Sequence, residues 1–152
     1  MSIRAEYFCV NTLTSDLFSL FAGEQLGSGI ARQVWSMEGD PASVLKFETG
    51  AGSFQNVAEW EVWQALQHHE PSAKWLAPCR RISPCGAIMI QARTEPIRRA
   101  ELPDKVPAWA SDLKLANWGI YDGRPVMHDY GLLSVMVGRA ATKQMKKADW
   151  FA

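Results

Sequence analysis

Two polar residues, Asn117 and Asp129, stand where a tight hairpin would bring them together. Between them lie two strand-like stretches joined by Asp122 and Gly123, a pair that suits a two-residue type I′ turn because both positions need positive φ. Counting back from that turn places Asn117 opposite His128, the residue just before Asp129. Amide and carboxylate oxygens are ligands that Mg²⁺ accepts, usually together with phosphate oxygens and water. The spacing therefore predicts a small cation site at one end of the hairpin.

A further carboxylate, Asp112, lies five residues before Asn117, with Lys114 between them. Residues 112–117 read Asp-Leu-Lys-Leu-Ala-Asn, which resembles the catalytic loop of protein kinases, and Asp-Tyr-Gly at 129–131 resembles their metal-binding Asp-Phe-Gly element. The resemblance implies that Asp112 positions or deprotonates an acceptor hydroxyl and that Lys114 contacts the transferring phosphate. It implies Asn117 and Asp129 as the magnesium ligands. Each motif alone fits an ordinary capped loop, whereas the two with a hairpin between them favour the kinase-like interpretation.

A glycine-containing bend precedes these motifs by more than eighty residues. Leu-Gly-Ser-Gly at residues 26–29, followed by Val34, resembles the loop that covers nucleotide phosphates in kinases. Gly27 and Gly29 would let the backbone approach the phosphates without a Cβ in the way. The family's third glycine position holds Arg32, whose guanidinium could reach a phosphate directly. An ordinary β-turn would account for the same glycines.

Lys46 follows apolar residues in a strand-like stretch, which favours a position facing a cleft over a solvated edge. By the resemblance, it is the phosphate-binding lysine that pairs with a glutamate on a helix. Glu59 and Glu61 are both available on the helix predicted next. Glu59 shares a helical face with apolar residues at offsets of three, four and seven, whereas Glu61 lies nearer the edge of that face. We therefore expect Glu59 to pair with Lys46.

The segment around Gln91 and Arg93 stands in the place of the kinase hinge, where backbone amides and carbonyls would hold an adenine ring. This placement rests on the order of the motifs alone. The resemblance thus implies ATP and Mg²⁺ as cofactors, with Gln91 and Arg93 beside the nucleotide.

The elements that must position these residues are predicted as strands, one main helix and a hairpin. The resemblance implies an α+β fold of the protein-kinase-like kind, as one domain of residues 1–152. Its expected parts are an N-terminal helical extension (1–22), an N-lobe (23–92) with a five-stranded antiparallel sheet and one main helix, and a reduced C-lobe (93–152) with the hairpin and a C-terminal helix. The predicted strands are 24–28, 32–37, 43–48, 79–83 and 87–91, the main helix is 56–68, the connector is 93–107, and the C-terminal helix is 133–147.

Three features depart from the kinase pattern. Ala110 stands two residues before Asp112, where kinases usually carry a bulky residue that braces the loop. About twenty residues separate the hinge from Asp112, and twenty-one follow Gly131, too few for the parts that bind protein substrates. Two functions fit: a minimal phosphotransferase acting on an unknown acceptor, or a catalytically inactive kinase-fold module that docks on another macromolecule. The chain resembles small kinase-like proteins of bacteriophages and bacteria, which implies a host protein or defence system as the target.

Composition limits the partners. Sixteen basic and sixteen acidic residues cancel, so general binding to nucleic acid has little electrostatic support. No apolar run approaches the roughly 18 residues of a membrane helix, and we expect no membrane partner. Three cysteines, an odd number without metal-ligand spacing, favour a reducing cytoplasm, which would be the host's if the protein is viral.

Overall fold

A five-stranded antiparallel sheet forms the first part of the protein in the computed structural model, which describes residues 16–49, 53–136 and 143–151. The described chain begins in a helical segment, α1, at residues 16–21. The sheet confirms the predicted α+β class, and its strand order is β1-β2-β3-β5-β4. Its strands are β1 (Ala22–Ser28), β2 (Arg32–Met37), β3 (Ser43–Glu48), β4 (Cys79–Ile82) and β5 (Ile88–Ala92).

The central strand β3 is buried along most of its length, from Ser43 to Lys46. It pairs with β2 on one side and β5 on the other, so that Lys46 lies opposite Val34 and Met89. Branched and aromatic side chains favour these strands because they pack well on a pleated surface. The sheet therefore carries Lys46 in its middle rather than at a solvated edge.

The main helix, α2 (Gln55–Leu66), turns one face towards the protein interior. Its buried residues recur at helical spacing: Asn56, Glu59, Val62 and Leu66. The helix ends two residues before the predicted boundary, and the short α3 (Glu70–Ala73) follows it. Two polar residues on the buried face of α2 are thereby placed against the sheet.

The second part of the chain is built from short strands and 3₁₀ turns. One small sheet has the order β6-β8-β9, and a two-stranded sheet pairs β7 with β10. The strands are β6 (Glu95–Pro96), β7 (Lys105–Pro107), β8 (Trp118–Tyr121), β9 (Arg124–Met127) and β10 (Met145–Lys147). The 3₁₀ helices are Arg99–Glu101, Leu115–Asn117 and Gly131–Met136. None of the helices in the described ranges is long and apolar enough to span a membrane.

The helix predicted over residues 133–147 is wrong where this segment is described. The backbone forms a 3₁₀ helix at Gly131–Met136 and a strand at Met145–Lys147, while residues 137–142 lie outside the described ranges. The strand forms because Lys146 pairs with Val106 of β7, a partner about forty residues away. Local propensity cannot register a partner at that distance.

The hairpin that the sequence predicts is confirmed. Asp122 and Gly123 have φ values of 52° and 71°, as a type I′ turn requires. Tyr121 lies opposite Arg124, and β8 and β9 pair in the expected register. Beyond the last paired residues, the His128 amide donates to the Asn117 carbonyl at 2.9 Å.

Replacing Gly123 with alanine should destabilise the protein by about 1 to 2 kcal/mol, because φ of 71° is unfavourable for a residue with a Cβ. Urea denaturation followed by circular dichroism would measure this change. Gly27→Ala is the matched control, since a Cβ there meets no atom within 4 Å and φ is not in the left-handed region. Equal stability of Gly123→Ala and the native protein would contradict the turn assignment.

Candidate functional site

A cleft of about 1100 Å³ opens between the five-stranded sheet and the end of the hairpin. The loop joining β1 to β2 forms one wall, and Asn117, His128 and Asp129 lie on the opposite side. The segment 91–96, which leaves β5, closes one end. The two stretches that resemble kinase motifs therefore contribute to one cavity.

Lys46 reaches this cleft from the middle of β3 and is held from behind by α2. Its ammonium group donates to Glu59 Oε1 at 2.6 Å and also to the His128 carbonyl. The Lys46 residue is 3% exposed, and Glu59 is completely buried. Glu61 is exposed to solvent. The prediction that Glu59, rather than Glu61, pairs with Lys46 is confirmed.

Arg32 joins the same cluster instead of extending freely into the cleft. One guanidinium nitrogen donates to Glu59 Oε2 at 2.6 Å, and the other terminal nitrogen donates to Asp129 Oδ1 at 2.8 Å. The side chain is 6% exposed, and its charge is balanced by two carboxylates. The sequence suggested that Arg32 could reach a phosphate, and this stays a prediction; its protein partners are Glu59, Asp129 and, at 3.4 Å, the Asn56 amide oxygen.

The charge of Glu59 is maintained by its two cationic partners. Burial by itself would raise the pKa of Glu59, but Lys46 and Arg32 together outweigh that effect and hold the pKa below its ordinary value. A buried carboxylate with two hydrogen-bonded cations is a paired charge of the kind that protein interiors tolerate.

Asn56 is a further part of the site that sequence reasoning missed. Its amide nitrogen donates to the carbonyls of Lys46 and Gly86, each at 3.0 Å, and its Oδ1 accepts from Arg32 at 3.4 Å. It is fully buried one turn before Glu59. Asn56 therefore links the start of α2 to β3 by a hydrogen bond and so helps to position Glu59 next to Lys46. The sequence pattern that could have indicated this role is the spacing of three residues between Asn56 and Glu59, which puts both on one face of a helix.

Asp112, Lys114 and Asn117 form a connected group at the other wall. Lys114 Nζ lies 2.9 Å from Asp112 Oδ1, and the Asn117 amide donates to Asp112 Oδ2 at 2.9 Å. The hydrogen bond from Lys114, supported by that from Asn117, lowers the pKa of Asp112. Asp112 has φ of 50°, a left-handed conformation that is uncommon outside glycine and clusters at functional sites.

His128 bridges the segment after β5 to the segment before β8. Its Nε2 lies 2.8 Å from the Ala116 carbonyl, and its Nδ1 lies 2.8 Å from the Thr94 hydroxyl. A neutral ring satisfies both contacts by donating from Nε2 and accepting at Nδ1. Burial, reinforced by the charge of Lys46, lowers the pKa of His128. This bridge could not be predicted, because Thr94, Ala116 and His128 belong to three different segments of the chain.

Tyr130 and Gly131 fix the chain immediately after Asp129. The Tyr130 side chain is buried and donates to the Ala77 carbonyl at 2.8 Å, beside the Cys79 thiol at 3.0 Å. A Cβ on Gly131 would lie 3.1 Å from the Gln55 carbonyl, so this glycine permits close contact with the start of α2. Asp129 is therefore held at the cleft from the interior while its side chain stays 52% exposed.

Most of the predicted site residues line the cleft, and three lie outside its lining. Gln91 contributes to the lining, but its side chain is fully buried and donates to Glu59 Oε1 at 2.7 Å. The three outside the lining are Glu59, which is fully buried, and Asp112 and Lys114, whose side chains are 29% and 54% exposed. Those that line the cleft are Gly27, Gly29, Arg32, Val34, Lys46, Gln91, Arg93, Asn117 and Asp129.

No protein-family model matches the chain, and no curated protein matches it. The geometry of the cleft is therefore the basis on which a function can be assigned to the protein.

The fit of a metal ion can be judged from the donor set. Within residues 16–49, 53–136 and 143–151, no three His, Cys, Asp or Glu side chains come together as a metal site. Asn117 and Asp129 supply an amide and a carboxylate, which fit Mg²⁺ if phosphate oxygens and water complete the shell. Asp129 Oδ1, however, already accepts a hydrogen bond from Arg32.

Replacing Glu59 with glutamine should destabilise the protein by roughly 3 to 5 kcal/mol, because Lys46 and Arg32 would lose their shared buried counter-charge. Urea denaturation at neutral pH would measure the loss. Glu61→Gln, on the exposed side of the same helix, should change the free energy of unfolding by no more than about 0.5 kcal/mol. Equal effects of the two substitutions would contradict a structural role for the buried pair.

The stability of the protein should fall as the pH drops from about 7 to about 5. The pKa of His128 is lower in the folded state than its ordinary value of 6.5, so the folded state binds fewer protons than the unfolded one. The stability that the neutral ring supplies is fully present above pH 6.5 and is lost as the pH falls through the folded pKa. A plot of the denaturation midpoint against pH should therefore be less steep for His128→Gln than for the native protein. The exposed His68→Gln should keep the native slope.

Proposed function

We propose that the cleft binds a nucleoside triphosphate, with ATP and Mg²⁺ as the pair it fits, and that the protein transfers the terminal phosphate to an acceptor. The observation that carries this proposal is the position of Lys46. Its ammonium group, fixed by the buried Glu59, lines the same cavity as Asn117 and Asp129. A fixed cation facing an amide and a carboxylate across a cleft is the arrangement that kinase-like phosphate sites use.

The loop between β1 and β2 supports binding of phosphate groups. A Cβ on Gly27 would meet no atom within 4 Å, so the end of β1, just before the loop, has open space next to its backbone. Gly29 donates its amide to the Arg32 carbonyl at 2.8 Å, which shapes the bend. Backbone in such a bend can approach phosphate oxygens closely.

The segment after β5 supports binding of a base. The Arg93 amide is engaged by the Ala42 carbonyl at 2.9 Å, and the Ala92 amide by the Pro78 carbonyl at 2.8 Å. The next amide, that of Thr94, belongs to a residue that lines the cleft. We therefore assign adenine contacts to the backbone around Thr94, with the Arg93 side chain nearby.

The transfer step uses the group around Asp112. An acceptor hydroxyl oxygen forms a bond to the terminal phosphorus, the bond between that phosphorus and the bridging oxygen breaks, and the nucleoside diphosphate leaves with the electron pair. The hydroxyl donates a hydrogen bond to the Asp112 carboxylate, which takes up the proton only late, as the new oxygen–phosphorus bond forms. Because the hydrogen bonds from Lys114 and Asn117 lower its pKa, Asp112 acts mainly by orienting the hydroxyl. Bound magnesium would supply charge neutralisation at the phosphate oxygens.

A second function is favoured by a specific observation. Asp129 is paired with Arg32, and neither Asp112 nor Lys114 belongs to the lining of the cleft. An inactive module that keeps the nucleotide pocket and docks on a protein, such as a host protein in the cytoplasm, is compatible with that arrangement. Turnover measurements separate the two functions.

Nucleotide binding should raise the apparent stability of the protein by roughly 2.7 kcal/mol when ATP with Mg²⁺ is present at a hundredfold excess over its dissociation constant. Thermal unfolding with and without the nucleotide would measure the shift. Lys46→Met should lose the shift, because the fixed cation facing the phosphates is removed. Lys105→Met, at an exposed position of β7, should keep it. The proposal fails if ATP leaves the native protein's unfolding temperature unchanged.

Transfer should then be measured as Mg²⁺-dependent release of ADP and as labelling of the protein or of an added acceptor by the terminal phosphate. Asp112→Asn should lower turnover by roughly a hundredfold or more while the ATP-induced stability shift remains. An ATP-induced shift in the native protein without any turnover would favour the binding module. Turnover that persists undiminished in Asp112→Asn would contradict the role assigned to this carboxylate.

A further inference from the structure

The Arg32 guanidinium stands between the two carboxylates of the cleft. It contacts Glu59 at 2.6 Å and Asp129 at 2.8 Å through different nitrogens, so one planar group bridges a helix residue and the residue proposed as a metal ligand. The hydrogen-bond partners of Lys46 are Glu59 and the His128 carbonyl rather than Asp129. Arg32 is therefore the cation that balances Asp129 in this structure.

The positive and negative charges of this cluster balance each other without a metal ion. Two cations, Arg32 and Lys46, face two carboxylates, Glu59 and Asp129. A divalent cation on Asp129 would place two further positive charges within a few ångströms of the guanidinium. Charges at that distance repel strongly where water is partly excluded.

The contact also joins parts of the chain that are far apart in sequence. Arg32 opens β2, while Asp129 follows β9, 97 positions later. The ion pair thus crosses the cleft from the five-stranded sheet to the end of the hairpin. Asp129 is the more exposed partner, with a side chain 52% accessible, whereas that of Arg32 is 6% accessible. A cation arriving from solvent would meet Asp129 first.

We propose that Arg32 and a divalent cation compete for the Asp129 carboxylate, so that metal binding weakens the ionic link between Arg32 and Asp129 across the cleft. This inference rests on the proposed function in assigning Asp129 to the metal. Without metal, the guanidinium holds Asp129 and closes the link between β2 and the segment after β9. With metal, Arg32 keeps Glu59 as a partner and releases Asp129. Metal occupancy and the ion pair between Arg32 and Asp129 thereby oppose each other.

The test is a titration of the full chain with Mn²⁺ alone, in the absence of nucleotide, with free Mn²⁺ followed by electron paramagnetic resonance. Arg32→Gln should bind Mn²⁺ at least roughly tenfold more tightly than the native protein, because a neutral amide does not compete for the carboxylate. Adding Asp129→Asn to Arg32→Gln should remove that gain. Equal affinity of the native protein and Arg32→Gln overturns the proposal, as does a gain that survives Asp129→Asn.

A second variant keeps the test decisive if Arg32→Gln does not fold, as judged by circular dichroism. Arg32→Lys retains the charge beside Glu59 but has one ammonium in place of two separated guanidinium nitrogens. It should bind Mn²⁺ more tightly than the native protein, and an unchanged affinity overturns the proposal. Because no nucleotide is present, this outcome is independent of the ATP-induced stability shift. If ATP does not shift the stability of the native protein while Arg32 and Mn²⁺ still compete for Asp129, only the proposed nucleotide function is rejected.

Discussion

One buried carboxylate organises the site. Glu59 is fully shielded from solvent and accepts three short hydrogen bonds, from Lys46, Arg32 and Gln91, at 2.6, 2.6 and 2.7 Å. A carboxylate in an apolar interior is tolerated only when it is paired and hydrogen-bonded in this way. Its partners lie on three different strands, so the charge of Glu59 can be satisfied only if β2, β3 and β5 have the observed register against α2. The electrostatic requirement of one side chain thus constrains how the helix packs on the sheet.

The same carboxylate decides what the cleft presents to a ligand. Lys46 and Arg32 are held by Glu59 from the interior, so an anion that bound in the cleft would need little reorganisation of these two side chains. Since the two cations are already matched by Glu59 and Asp129, a triphosphate would bring an excess of negative charge into a balanced cluster. Additional positive charge is needed to accept it. Lys114 does not supply it, because its ammonium group is paired with Asp112 at 2.9 Å. The exposed Arg93, which lines the cleft, is one source, and a divalent cation would be another.

The part of this arrangement that depends on neighbours in sequence was predictable. The hairpin followed from the positive φ that Asp122 and Gly123 accept, and the choice of Glu59 followed from the apolar face it shares on α2. The contact of Arg32 with a phosphate stays a prediction, but its two carboxylate partners were not foreseen, because the start of a strand does not reveal that residues 59 and 129 converge on it. Asn56 and His128 were missed for the same reason, since their partners are backbone carbonyls and a hydroxyl supplied by other segments. The strand β10 was mistaken for a helix because its partner β7 is distant in sequence.

Backbone strain bears on the choice between catalysis and binding alone. Asp112 holds a left-handed conformation, which costs roughly 1 to 2 kcal/mol in a residue with a Cβ. The hydrogen bonds from Lys114 and Asn117 go to the carboxylate oxygens that this conformation presents. Asn117 also lines the cleft, so the strained residue is coupled to the cavity through one side chain. The two hydrogen bonds hold the Asp112 carboxylate in one orientation, and a phosphotransferase would need this of a residue that positions an acceptor hydroxyl.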